Sequence, residues 1–308
     1  MPKKILLATD GSEDAILSAR AASDISAAAG SGVHVVHALQ PLPRYAYPGV
    51  TAEVYSRVLE VRERAARDLL DAQERRIDEG GGKVAKVHLR SGPAVDEIIE
   101  LAEELEAGLI VMGSRGMGLV ERVVMGSVSE GVVHDASCPV LVLRGGEAAW
   151  PPARIVIADD GSEEATRAGE LATGIGKLSG ARALLLRAYP RLPEVDIPGR
   201  ELNARMVNDE LRREENILTK RAVELEQKAG IRPRVRIQVG DPAACILEAA
   251  QEEGVEKALM AVGRRGPKYY RINPRARRSF HRHNSFPVPL RSLQSYPTSV
   301  GTLRHCTA

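Results

Sequence analysis

The sequence predicts an α/β protein built from two tandem parallel sheets of five strands each, covered by helices on both faces, with the second copy incomplete. Three observations carry that expectation. The chain repeats itself at a fixed offset, short apolar runs alternate with helical stretches within each repeat, and loops rich in glycine and hydroxyl residues follow the apolar runs.

The repeat is direct. Ile5-Leu6-Leu7-Ala8-Thr9-Asp10-Gly11-Ser12 returns as Ile155-Val156-Ile157-Ala158-Asp159-Asp160-Gly161-Ser162, and Leu109-Ile110-Val111-Met112-Gly113 returns as Leu259-Met260-Ala261-Val262-Gly263. Val35-Val36-His37-Ala38 returns as Leu185-Leu186-Arg187-Ala188. The copies join near Gly145-Gly146-Glu147-Ala148-Ala149-Trp150-Pro151-Pro152, which separates a first domain, 1–146, from a second, 153–266.

Within the first copy, apolar runs at 4–8, 33–38, 84–89, 109–112 and 140–143 are short and nearly continuous, as strands buried on both faces are. The stretch 13–29 is Ala-rich and stops at Gly30, while 53–79 is laced with charge and stops at Gly80-Gly81-Gly82. Pro93 opens a helix over 93–106, where a missing N–H costs nothing, and a further helix starts after Gly126. Alternating strands and helices imply right-handed crossovers, and ligands of such sheets sit beyond the carboxyl ends of the strands.

Composition fits this. Apolar residues make up 44% and charged residues 27% of 308, and no run approaches the length needed to span a bilayer. The opening apolar stretch is too short for a signal peptide, so the cytoplasm is expected. Cys138, Cys245 and Cys306 are odd in number and widely separated, which argues against a disulfide framework or a metal site. The net charge of +2 hides an asymmetry: residues 264–308 carry nine Arg, one Lys and no acid, leaving the first 263 at −8.

Three features stand at strand ends. Ala8-Thr9-Asp10-Gly11-Ser12 follows the first strand; Asp10 can accept from a ribose hydroxyl, and equally Asp10 or Ser12 can cap the next helix. Met112-Gly113-Ser114-Arg115-Gly116-Met117-Gly118 follows the fourth, where glycines allow close approach of backbone N–H groups to an anion and Arg115 adds charge. Gly126-Ser127-Val128-Ser129 opens the last helix, whose N-terminus suits phosphate and whose hydroxyls add donors; helix capping is the alternative use. The glycine loop is not a Walker A, since no Gly-Lys-Ser/Thr follows. His37 and His134 read as structural, and no Ser-His-Asp order, carboxylate pair or metal cluster emerges, so no catalytic residue is assigned.

Asp10, His37-Ala38, Gly113-x2-Gly116-x9-Gly126-Ser127 and the closing Cys138-Pro139-Val140-Leu141-Val142-Leu143 together resemble the universal stress protein family, over 3–143 and again over 153–266. The resemblance implies a doubly wound, Rossmann-like sheet in the order 3-2-1-4-5. It implies ATP as ligand, with Mg2+ or Mn2+, in a sensor or regulatory module of the stress response. Asp10 would hold ribose, the Ala38 backbone adenine, and Gly113, Gly116, Gly126, Ser127 and Ser129 the phosphates. Ala8, Thr9, Met112, Arg115 and Val128 complete the expected binding set. A slow ATPase or nucleotidyl transferase on the same fold, or a scaffold that has lost its nucleotide, are the alternatives.

The second copy retains Asp160, Gly263 and Gly266, but Ala276-Arg277 stand where Gly-Ser is expected, so a second nucleotide site is not. Residues 264–308 are either a disordered basic tail, which could attract nucleic acid or anionic membrane, or the product of a reading-frame shift. The break in mid-motif favours the shift, and neither nucleic acid nor membrane is an expected partner. In the resembling family fifth strands pair edge to edge. Since prolines interrupt 286–290, the strand at 140–143 is expected to lack a partner within the chain, with self-association into a dimer through it, misfolding of the second half, or both as the result.

Overall fold

Ile5, Leu6 and Leu7 are fully buried at the centre of the first sheet, where side chains of both parities meet a helix-covered core. Each contributes about 1.5–3 kcal/mol by leaving water. The structure, a computed structural model, describes residues 1–43, 49–116, 125–145, 150–189, 200–255 and 258–262. Met117 and Gly118 of the glycine loop, Gly263 and the basic segment 264–308 lie outside the described residues.

The first half runs β1 (Lys4–Ala8), α1 (Glu13–Ala29), β2 (Gly32–Leu39), α2 (Ala52–Glu79), β3 (Lys83–Ser91), α3 (Ala94–Glu104), β4 (Leu109–Gly113), α4 (Ser127–Asp135) and β5 (Pro139–Leu143). Every strand and helix expected from the sequence is present, with ends shifted by a residue or two; Pro93 is the N-cap of α3 rather than its first residue. The five strands are parallel in the order β3-β2-β1-β4-β5. On one face Ile5, Leu7, Val33, Val35 and Val111 pack beneath α1 and α2. On the other, Leu6, Ala8, Val36, Ile110 and Met112 pack beneath α3 and α4.

The second half begins as a copy at the same offset: β6 (Arg154–Ala158), α5 (Glu163–Ser179), β7 (Arg182–Tyr189), α6 (Arg200–Ala229), β8 (Arg234–Val239), α7 (Pro242–Glu252) and β9 (Ala258–Val262). Strands β6, β7 and β8 form a separate parallel sheet. Trp150, 3% exposed, packs with Leu171 and Ile175 of α5 in the core beneath α1, and its indole N–H donates to Asp24 at 2.7 Å. One apolar cluster thus spans the junction.

The fate of β9 corrects an expectation. As the fourth strand of the second copy it should flank β6; instead it pairs antiparallel with β5, from Pro139↔Val262 to Leu143↔Ala258. The strand at 140–143, expected to lack an internal partner, is therefore paired on both sides, and the basis for self-association through it disappears. The physical reason lies in the open edge. The five-residue apolar strand satisfies the exposed N–H and C=O groups of β5, and the larger sheet wins it.

Candidate functional site

Strand order reverses at β1, which has β2 on one side and β4 on the other. At their carboxyl ends, closed by the N-terminal turns of α3 and α4, lies a cavity of about 450 Å3. That size is typical of small-molecule sites, and a switch point is where ligands of open α/β sheets bind.

All twelve residues singled out in the sequence line it. Ala8, Thr9 and Asp10 come from the end of β1 and Ala38 from β2, while Met112, Gly113, Arg115 and Gly116 follow β4. Gly126, Ser127, Val128 and Ser129 come from the start of α4. Sequence reasoning missed Ala15, Val36, Gln40, Ala94 and Ile98 and gave His37 only a structural part. Ala94 and Ile98 were within reach, since four residues apart they share one face of α3.

The ambiguity at β1 resolves. Ser12 is the N-cap of α1, its hydroxyl accepting from the Ala15 N–H at 3.3 Å. Asp10 stands two residues earlier: its Oδ1 accepts from the Ser12 N–H at 3.0 Å, and its Oδ2 faces Gly116. A Cβ on Gly116 would stand 2.6 Å from that oxygen, so glycine here leaves room for the carboxylate on the cavity wall.

Gly113 lines the cavity and is also constrained from behind. A Cβ there would lie 2.9 Å from the carbonyl carbon and the Cβ of Asp14, so the approach of helix α1 excludes a side chain. The hydroxyl of Ser129 differs from expectation. It is 2% exposed and donates to the carbonyls of Ser114 and Gly126, each at 2.9 Å, which locks the loop after β4 to the start of α4. The Gly126 N–H donates to the same Ser114 carbonyl at 2.7 Å, and the Glu130 N–H returns to the Gly126 carbonyl at 2.9 Å. The backbone N–H groups of Ser127, Val128 and Ser129 form the first turn of α4, which has no intrahelical acceptors.

A buried acid unforeseen in the sequence organises this loop. Asp14, 3% exposed, accepts from the Ser114 hydroxyl at 2.9 Å, the Arg115 Nε–H at 3.3 Å and the Gly145 N–H at 3.1 Å. Arg144 lies nearby; burial lowers its pKa first and the charge of Arg115 second, while Asp14 raises it. An arginine keeps its charge under such shifts, so two guanidinium groups and one carboxylate share this region, and of the three Arg115 lines the cavity. The ring of His37 donates from Nδ1 to the Thr9 carbonyl at 2.8 Å, tying β2 to β1 while lining the cavity. His134 pairs with Asp135 at 2.6 Å, and both are exposed.

The second copy changes these positions. Where Thr9 and His37 stand in the first, Asp159 and Arg187 stand in the second. The Asp159 side chain is 2% exposed, 2.5 Å from Arg187 and 3.6 Å from Arg221, and Arg187 also pairs with Glu214. Because β9 has left for β5, β6 has β7 as its one partner among the described residues, and the crevice that β1 and β4 make has no counterpart there. Among the described residues no group of three His, Cys, Asp or Glu could hold a metal ion, and no helix is long and apolar enough to cross a membrane.

Comparison with known proteins agrees with this architecture. The sequence model of the universal stress protein family matches residues 1–144 and 152–276. A universal stress protein of Methanocaldococcus jannaschii is 34% identical over 143 residues, 46% of this chain and 82% of that protein. One from Thermus aquaticus is 37% identical over 144 residues, 47% of this chain and all of that one. A crystal structure of a universal stress protein from Archaeoglobus fulgidus superposes with a TM-score of 0.54 at 24% identity, covering 81% of this chain and 83% of that chain, a likeness of fold.

Proposed function

Since the chain belongs to the universal stress protein family, we propose that it is a cytoplasmic stress-response module that senses or transmits nucleotide state by binding one ATP in its first half. What carries the reading is convergence: twelve residues taken from separate strand ends, by their chemistry or by the family resemblance, line a single cavity at the sheet's switch point. The proposed division is 1–146 as the binding domain, 153–266 as an incomplete copy and 267–308 outside both.

In this reading Asp10 accepts from ribose hydroxyls, and the Ala38 backbone meets the adenine edge between the walls formed by Val36 and Ile98. The phosphates lie against the first-turn N–H groups of Ser127, Val128 and Ser129, where the helix dipole favours negative charge. Asp14 contributes by fixing Arg115 and Ser114, hence the path of the loop. A Mg2+ or Mn2+ ion would come with the phosphates, which supply oxygen ligands of their own.

Calorimetric titration of ATP into the full chain tests this. Gly126 has φ −74° and ψ 154°, a conformation valine adopts without strain, so Gly126→Val with Ser127→Ala should keep the fold and abolish binding. Unchanged binding would remove the phosphate site from α4. Slow release of ADP or AMP, lost in the same variant, would convert the reading to an enzyme.

A further inference from the structure

Of the eight large apolar side chains exposed among the described residues, Val50 lies just before α2 and four, Val54, Val58, Leu59 and Val61, fall in its first ten residues. This is not the half of the helix that makes the core. The buried residues of α2 are Ala66, Leu70, Gln73 and Ile77, all in its second half. Val54, Val58 and Val61, at 52, 42 and 62% exposure, are followed by exposed Ala65, giving spacings of four, three and four that align them along one side of the helix.

Valine is a poor choice for a solvated helix, since its branched Cβ loses rotamer freedom there and gains nothing without a neighbour. The stripe cannot be turned inward either. The Tyr55 hydroxyl donates to the Leu42 carbonyl at 2.5 Å and the Arg62 guanidinium to the Gln40 carbonyl at 3.0 Å, which fixes one flank of the stripe against the chain leaving β2.

The charges beside the stripe say what can cover it. At 100° per residue Arg57 and Arg64 border it on one side and Arg62 on the other, while Glu53 and Glu60 stand farther round. A second copy packed antiparallel would set Arg57 against Arg64, and one packed parallel would set Arg57 against Arg62. Both oppose like charges across the seam. An acidic helix meets attraction on both flanks.

We propose that this face of α2 is a docking surface for an amphipathic helix of a partner protein, one with apolar residues at spacings of three and four and Asp or Glu flanking them. The proposal is independent of the nucleotide site. Its probe is a synthetic helical peptide of about three heptads with Leu at the a and d positions and Glu at e and g, with a Lys counterpart as control. Fluorescence anisotropy against the full chain should show the Glu peptide binding, more weakly at high salt, and the Lys peptide binding at least about tenfold less tightly. Val58→Asp with Val61→Asp should lose the Glu peptide without changing thermal melting, because both side chains are exposed. Arg57→Glu with Arg64→Glu should reverse the preference. Equal binding of the two peptides, binding of neither, or retention of the Glu peptide by the valine variant would overturn the proposal. So would self-association of the chain that the valine variant abolishes, since the occupant would then be a second copy.

Discussion

Replacing Gly116 with alanine separates a ligand role for Asp10 from a merely local one. The new Cβ would stand 2.6 Å from Asp10 Oδ2, well inside the roughly 3.3 Å at which carbon and oxygen approach comfortably. The backbone at Gly116 is outside the left-handed region, so alanine adds no strain of its own. The cheapest relief is to swing the Asp10 carboxylate aside, which breaks its bond from the Ser12 N–H and costs about 1 kcal/mol of stability. The ligand loses more. A hydrogen bond to a charged acceptor is worth about 1.5–3 kcal/mol, so ATP should bind roughly tenfold to a hundredfold less tightly. Calorimetry at fixed ionic strength, with a thermal melt of the same sample, measures both. Gly113→Ala is the control: its Cβ meets the Asp14 backbone at 2.9 Å, which cannot rotate away, so stability should fall first. An ATP affinity for Gly116→Ala equal to the parent's would refute the placement of ribose at Asp10.

Two further outcomes follow from the charges. His34 and His88 face each other across β2 and β3 at 3.0 Å, and the His88 pKa falls from 6.5 to about 4, through burial first and the charge of His34 second. A folded-state pKa below the unfolded one means that the unfolded chain takes the proton first. Stability should therefore be full above pH 6.5 and decline towards pH 4, and His88→Gln should flatten the dependence of melting temperature on pH across that window. In the second half, Asp159→Asn leaves Arg187 and Arg221 without their buried carboxylate. Chemical denaturation should show a loss of about 3 kcal/mol confined to that half, with ATP affinity unchanged; a loss of ATP binding instead would mean that the halves are coupled.

Much of this was legible in the sequence because the signals were local. Continuous apolar runs such as Ile5–Ala8 and Leu109–Met112 mark strands buried on both faces whatever surrounds them, and the offset of the repeat carried the same assignment into the second half. The lining of the candidate cavity was legible for a related reason. In a parallel sheet every strand's carboxyl end points to the same rim, so loops far apart in sequence must meet there. What could not be read was competition between distant partners. The residues of β9 say that it is a strand but not whose edge it joins, and it chose β5 over β6. Individual packing contacts were hidden in the same way. Gly113 is closed in by the approach of α1 and the Ser129 hydroxyl is held by two carbonyls of its own loop, and neither neighbour is visible along the chain. Asp14 looked like an ordinary acid in the first turn of a helix; only its burial beside Ser114, Arg115 and Gly145 reveals it as the loop's anchor.

The central claim is one nucleotide site per chain, in the first half. Native mass spectrometry of the purified full-length protein, with and without added ATP, tests it most directly. The account predicts a single added mass of one ATP per chain, absent from the Gly126→Val, Ser127→Ala variant. Two nucleotides per chain, or one that persists in that variant, would contradict it.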